Sequence, residues 1–227
     1  MRSVKVKICG VTREEDVRMI CKLGADAIGF VVNVPSSPRS LNLERAKNLF
    51  KLVSNHVKKV LVTVPQSINE ILEFYEYLKP DIIQIHGENI KEFHELKKKL
   101  SKVILIRALS VRLNDEILKV AMEEVKFFDA ILVDSFAFGK YGGIGVTHDW
   151  NISKYVREVI YPKPLILAGG LNPENVKEAI NMVMPYAVDV STGVESKLGI
   201  KNYNKVKAFI KNAKEVRLNY LNYLELW

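Results

Sequence analysis

Cysteine is scarce in this chain: Cys9 and Cys21 are the two among 227 residues. Two cysteines make no disulfide framework, and a chain of this length buries enough core to fold without one. A reducing, cytoplasmic setting is expected. Long apolar runs are missing as well. None approaches the roughly 18 residues of a membrane span, and the first residues lack the apolar h-region of a secretory signal, so no membrane partner is expected. No G-x-G-x-x-G follows the first strand candidate, which argues against a dinucleotide site. No metal-ligand, pyridoxal or nicotinamide signature occurs, and neither a metal nor a cofactor is expected. Acidic residues number 26 against 34 Lys and Arg, a formal net charge of +8. A basic chain can attract nucleic acid, membranes or small anions. The basic residues here are scattered, however. Their densest group, "KEFHELKKKLSK", mixes Lys91, Lys97, Lys98, Lys99 and Lys102 with Glu92 and Glu95, the composition of a solvated helix face. No basic stretch interleaves with aromatics and no RNA-binding or zinc-finger signature is found, so no nucleic-acid partner is expected.

What is present is one pattern, repeated. The runs "VKVKIC", "ADAIGFVV", "KKVLVTV", "DIIQIH", "KVILIRAL", "FDAILVD", "KPLILAG" and "YAVDVST" are eight strand candidates rich in Val and Ile, mostly apolar on both faces. Strands apolar on both faces suggest a parallel sheet covered by helices. Between them lie apolar residues at helical spacing: Val17, Ile20 and Cys21; Ala46, Leu49, Phe50 and Val53; Ile68, Ile71, Leu72 and Tyr75; Val176, Ala179, Ile180 and Val183; Val206, Phe209, Ile210 and Ala213. Helix starts carry capping signals. Thr12 stands three residues before Glu15 and Ser67 three before Glu70, both capping-box spacings, and Asn172 precedes Pro173.

Eight βα units of about 28 residues each predict an α/β fold, a single (β/α)8 barrel with a parallel eight-stranded core. A doubly wound open sheet is the alternative. No linker divides the chain. The barrel is expected over residues 1–213, with residues 214–227 extending the final helix and covering the barrel or a partner subunit. A monomer or a homodimer is expected.

In such a barrel the site lies where strands end. The strand-end residues are Cys9, Asn33, Pro65, His86, Arg107, Asp134, Gly169 with Gly170, and Ser191 with Gly193. No lysine closes a strand, so a Schiff-base mechanism is disfavoured. The glycine turns "LAGGLNPENV" and "DVSTGVE" let backbone N–H groups approach an anion, and barrels often hold a phosphate after the seventh and eighth strands. Gly169, Gly170, Ser191 and Gly193 are therefore the candidate phosphate-binding residues. Cys21 lies on an apolar helix stripe and is read as a small hydrophobe. Cys9 is not so placed; it stands at the mouth before Gly10. An unperturbed thiol is only about 3% thiolate at neutral pH, and Lys7 and nearby helix N-termini could raise that fraction. Asp134 ends an otherwise apolar strand and must face the mouth or find a partner. To donate a proton it needs a pKa above its usual value of about 3.9. The segment after it, "FGKYGGIGVTHDW", has the glycine content of a lid that excludes water.

Together, "KICGVT", "SPRS", "QIHGE", "ILVDS…GKYGGIGVTHDW", "LAGGLNPENV" and "VDVSTGVE" resemble the phosphoribosylanthranilate isomerase family, from Lys5 to about Ala213. The resemblance implies an Amadori rearrangement in tryptophan biosynthesis, without a cofactor, on a small phosphoribosyl substrate. It implies that Asp134 is the general acid at the furanose ring oxygen and Cys9 the general base at C2. It implies that Arg39 faces the anthranilate carboxylate, with two parallel hydrogen bonds suited to its guanidinium, and that His86 and Asp189 contact substrate. The chain departs from the family pattern at Asn33, Val146 and His148. Rival readings are other phosphosugar-barrel isomerases and a non-catalytic phospholigand-binding barrel. The histidine-pathway isomerase uses two aspartates, where this chain has Cys9 and Arg107. Indole-glycerol phosphate synthase needs a lysine and a glutamate at strand ends that are missing here.

Overall fold

The structure is a computed structural model that describes residues 2–87, 93–111, 116–135, 147–218 and 223–227. Eight parallel strands close into a barrel: β1 Lys5–Ile8, β2 Ala27–Val31, β3 Lys58–Thr63, β4 Ile82–Ile85, β5 Ile104–Ser110, β6 Ala130–Asp134, β7 Leu165–Leu167 and β8 Ala187–Val190. The strands pair in chain order, and β8 returns to β1 through Lys5↔Ala187 and Ile8↔Val190. Closure excludes the open doubly wound sheet. The helices α1 Glu14–Leu23, α2 Leu43–Phe50, α3 Ile68–Leu78, α4 Phe93–Lys99, α5 Ile117–Glu124, α6 Trp150–Ile160, α7 Val176–Val183 and α8 Tyr203–Glu215 follow the strands in turn. Among the described residues no helix is long and apolar enough to cross a membrane.

The double-sided apolarity of the strands becomes two cores. Ala27, Val31, Val60, Val62, Ile82, Ile106, Ala130, Leu132, Ile166 and Ala187 fill the barrel interior. Their alternates, among them Val6, Ile8, Ile28, Phe30, Leu61, Ile83, Leu105, Ile131, Leu165 and Val188, meet the helix stripes outside. Side chains alternate with period two, so a slip of one residue would exchange the two sets. The stripes of α1, α7 and α8 are buried as their spacing predicts. On α3 the buried residues are Ile71, Phe74 and Leu78, so the stripe lies further round the helix than Ile68, Leu72 and Tyr75 suggest. Ser67 caps α3 by accepting from Glu70 N at 3.2 Å. Thr12 does not cap α1; its hydroxyl donates to Gly199 O at 2.8 Å, a long-range bond that outcompetes the local one. Asn172 Oδ1 accepts from the N–H groups of Glu174 and Asn175, and regular helix begins at Val176.

Among the described residues, the C-terminal segment does not extend the helix. The chain leaves α8 at Val216, in extended conformation, and Arg217–Leu218 pair antiparallel with Arg2–Ser3. Tyr223, Leu226 and Trp227 then pack with Tyr186 beneath the barrel interior. Burying these side chains against the barrel floor competes better than a free amphipathic turn with nothing to cover. The Lys-rich α4 behaves as a solvated face: Lys98 and Lys99 are exposed and Lys97 pairs with Asp129. Lys91 and Glu92 lie outside the described residues.

Candidate active site

Cys9 follows the last residue of β1, its N–H donating to Val190 O at 2.8 Å. It sits with Val31, Val34 and Ala168 at the upper end of the barrel interior. Lys7, two residues earlier and on the same face, is fully buried and donates to Asp189 Oδ2 at 2.6 Å. Room for both side chains comes from Gly29 on the neighbouring strand. A Cβ there would stand 2.7 Å from Cys9 Sγ, 3.1 Å from Lys7 Cε and 3.2 Å from Lys7 Nζ. Burial pushes the Cys9 thiol up, and the Lys7 charge pulls in the opposite direction. Burial alone would push the Lys7 ammonium down, but Asp189 and Cys9 hold it above its ordinary value. Asp189 Oδ1 is buried with no hydrogen-bond partner among the described residues.

A second ionic cluster stands beside the first. Arg39, in the loop after β2, donates from Nε and Nη2 to Glu195 at 2.8 and 2.7 Å, and from Nη2 to Thr192 Oγ1 at 3.1 Å. Lys201 donates to Glu195 Oε1 at 2.9 Å and to Ser191 O at 3.1 Å. Arg39, Glu195 and Lys201 are all buried. Burial would raise the Glu195 carboxyl, yet Arg39 and Lys201 hold it below its usual value. Burial pushes Lys201 down. The close approach of these loops depends on Gly10, whose φ of +68° suits glycine and whose Cβ would collide with Arg39 Cδ and Ser191 Oγ. The expectation of two parallel bonds from Arg39 to a substrate carboxylate needs correction. The Nε–Nη2 edge is occupied by Glu195, which leaves Nη1 as the guanidinium nitrogen without a hydrogen-bond partner among the described residues.

Asp134 is the last residue of β6 and is half-buried. Ala130 and Leu132 line the interior, so alternation turns Asp134 the same way, at the mouth. Its neighbour Ser135 is held by His148, whose Nδ1 lies 2.9 Å from Ser135 Oγ and whose Nε2 lies 2.6 Å from Ser153 Oγ on α6. Burial pushes the His148 imidazole down to about 4, so it is neutral at pH 7. His86 directly follows β4 and is also buried, its Nε2 2.8 Å from Gln84 Nε2. Its own desolvation, then Lys7 and Arg107, push it well below its ordinary value. The lid glycines and Val146 lie outside the described residues.

The glycine turns sit side by side. Gly169 and Gly170 have φ of +83° and +66°, and a Cβ on Gly169 would strike the Ser135 backbone. Ser191 opens the 3-10 turn Thr192–Val194, and a Cβ on Gly193 would strike Leu171 O. Gly193 therefore admits the close approach of the seventh and eighth loops.

Two strand-end residues are not at the mouth. Arg107 lies within β5 on its outer side, bonded to Glu124 of α5 and stacked on Phe93. Ala108 faces the interior instead. Asn33 adopts φ of +54° and turns its amide to Glu70 of α3 at 3.1 Å, while Val34 takes the interior position. Sequence reasoning missed Glu195 and Lys201. A charged residue inside an otherwise polar turn gives no local sign of burial, although "GVE" adjoins the phosphate candidates.

Residues 6–212 match the family model described as N-(5'-phosphoribosyl)anthranilate (PRA) isomerase. The N-(5'-phosphoribosyl)anthranilate isomerase of Methanocaldococcus jannaschii is 43% identical, over 94% of this chain and 98% of that protein. The Aquifex aeolicus isomerase is 45% identical, over 93% and 98%. The crystal structure of phosphoribosyl anthranilate isomerase from Thermotoga maritima superposes with a TM-score of 0.81 at 39% identity, covering 94% of this chain and all of that one. A phosphoribosyl anthranilate isomerase crystallised with reduced 1-(o-carboxyphenylamino)-1-deoxyribulose 5-phosphate superposes with a TM-score of 0.78 at 37% identity, with 94% and 100% covered. With a family model matched over residues 6–212 and relatives 43% and 45% identical over more than nine-tenths of its length, the chain belongs to the N-(5'-phosphoribosyl)anthranilate isomerase family.

Proposed function

We propose that this chain isomerises N-(5'-phosphoribosyl)anthranilate to 1-(2-carboxyphenylamino)-1-deoxyribulose 5-phosphate in tryptophan biosynthesis, by general acid and base catalysis. The observation that carries the reading is a thiol and a carboxylate on one barrel mouth, at the ends of β1 and β6, beside paired glycine turns after β7 and β8. The phosphate is received by Gly169, Gly170, Ser191 and Gly193, where glycine allows backbone N–H groups to close on an anion. Arg39 offers Nη1 to the anthranilate carboxylate. Asp189 Oδ1, buried and unpartnered among the described residues, has an acceptor for a sugar hydroxyl. His86, neutral, contacts the substrate as a hydrogen-bonding group rather than as a charge.

Asp134 gives its proton to the furanose ring oxygen. The C1–O bond breaks and the anthranilate nitrogen lone pair forms the C1=N iminium. Cys9, as thiolate, takes the C2 proton. The C2–H electron pair forms C1=C2, the C1=N π electrons return to nitrogen, and the resulting enolamine tautomerises to the ketose. The acid and the base act on different atoms of one sugar, which suits groups held by strands apart on the rim. Each is worth roughly 10² to 10⁴ in rate. The partner is thus a small phosphoribosyl molecule. The chain works as a monomer or homodimer; the Thermotoga maritima relative is described as dimeric.

Turnover of freshly prepared phosphoribosylanthranilate, followed by loss of its fluorescence, tests the reading in the native chain, Cys9→Ser and Asp134→Asn. Native turnover, with kcat reduced about 10²-fold or more in both folded variants, is expected. Absence of native turnover with phosphosugar binding retained would overturn it.

A further inference from the structure

We propose that Lys7 is a positioning residue for Cys9: anchored by Asp189, its ammonium is the counter-ion that balances the sulfur's negative charge before the thiolate takes up a proton. The inference rests on Cys9 acting as the base.

A cysteine buried in an apolar barrel is a poor base, because desolvation favours the neutral thiol. Something must offset that burial. Sγ and Nζ converge on the space left by Gly29, within 2.7 and 3.2 Å of one point. Lys7 is fully buried, and Asp189 fixes its ammonium at 2.6 Å from across the β1–β8 seam. Its ammonium is shielded from solvent, so its charge acts on whatever lies beside it in a medium of low dielectric. The other charged or titratable groups facing Cys9 are Lys201 and Arg39, from the loops after β8 and β2, both neutralised in part by Glu195. His86, directly after β4, is held neutral with Lys7 as one of its causes and adds no charge. Asp189 opposes Lys7, being a negative charge near a developing thiolate. The two members of one ion pair thus act on Cys9 with opposite signs. A purely structural ion pair would not do this: breaking it from either side would loosen the same floor.

The rate of Cys9 alkylation by iodoacetamide against pH, mapped by mass spectrometry in a Cys21→Ala chain, reads the thiolate without using activity. Lys7→Met is expected to move the midpoint up by about one unit or more, about a tenfold loss of alkylation at fixed pH below it. Asp189→Asn is expected to move it down, because the thiolate becomes the ammonium's remaining anionic neighbour. The low-pH limb of kcat/KM should move with each midpoint. If Lys7→Met fails to fold, the downward shift in Asp189→Asn carries the test. Midpoints that stay fixed, or that move in the same direction in both variants, would overturn the proposal. Full turnover by Cys9→Ser would instead overturn the base role, whatever the alkylation midpoints do.

Discussion

Arg39 gives three donor contacts to Glu195 and Thr192 before any substrate arrives. Its guanidinium is therefore preorganised, and its binding energy is not spent on freezing a long side chain. Arg39→Lys keeps the charge but cannot serve Glu195 and a carboxylate together. KM should rise about 10- to 100-fold, the loss of one charge-assisted hydrogen bond, with a smaller change in kcat. Steady-state kinetics checks the split. Gly29→Ala probes the other half of the site. Its methyl would stand 2.7 Å from Cys9 Sγ, so the thiol must shift, and kcat should fall about tenfold or more while circular dichroism stays native. Cys9 and Asp134 were legible in the sequence because each breaks an apolar strand at its end. Glu195 and Lys201 were not. The Arg39–Glu195 pair joins residues 156 apart, and nothing local to either announces the other.

Among the elements, the junction of β6 and α6 is sensitive to acid. His148 bridges Ser135 and Ser153 while buried, and its pKa is pushed down to about 4 from an ordinary value near 6.5. Between those pH values the unfolded chain binds a proton that the native chain does not. Stability therefore falls as pH drops from about 6.5 towards 4, and the lowered His86 acts in the same direction. Thermal melts from pH 7 to pH 4 should show this slope, and His148→Gln should flatten it. The departure at His148 thus has a local explanation, an imidazole used as a neutral clasp beside Asp134. Asn33 has one too, since its left-handed backbone favours Asn. Neither reading was open to the sequence, because both depend on where a side chain turns after its strand ends.

At the scale of the whole molecule, chemistry and closure occupy opposite ends of the barrel. Tyr186 Oη donates to Trp227 O at 3.0 Å and accepts from the N–H groups of Leu226 and Trp227 at 3.1 and 3.0 Å. Tyr186→Phe strands three backbone groups, a loss of about 1–3 kcal/mol. The unfolding temperature should drop by several degrees while kcat and KM stay native, since the tyrosine precedes β8 at the end away from the mouth. Calorimetry with parallel kinetics checks both halves. The sequence by itself determined the eight βα units, the parallel barrel and the rim that carries the thiol, the carboxylate and the glycine turns. Those follow from periodicity and strand-end position, which are local. Tertiary structure alone decided that Arg107 faces outwards, that Arg39 is half occupied by Glu195, that Asp189 anchors Lys7, and that the last residues fold under the barrel instead of extending α8. Each of those is a choice between burial and pairing partners far apart in the chain, and only the closed barrel brings the competitors together.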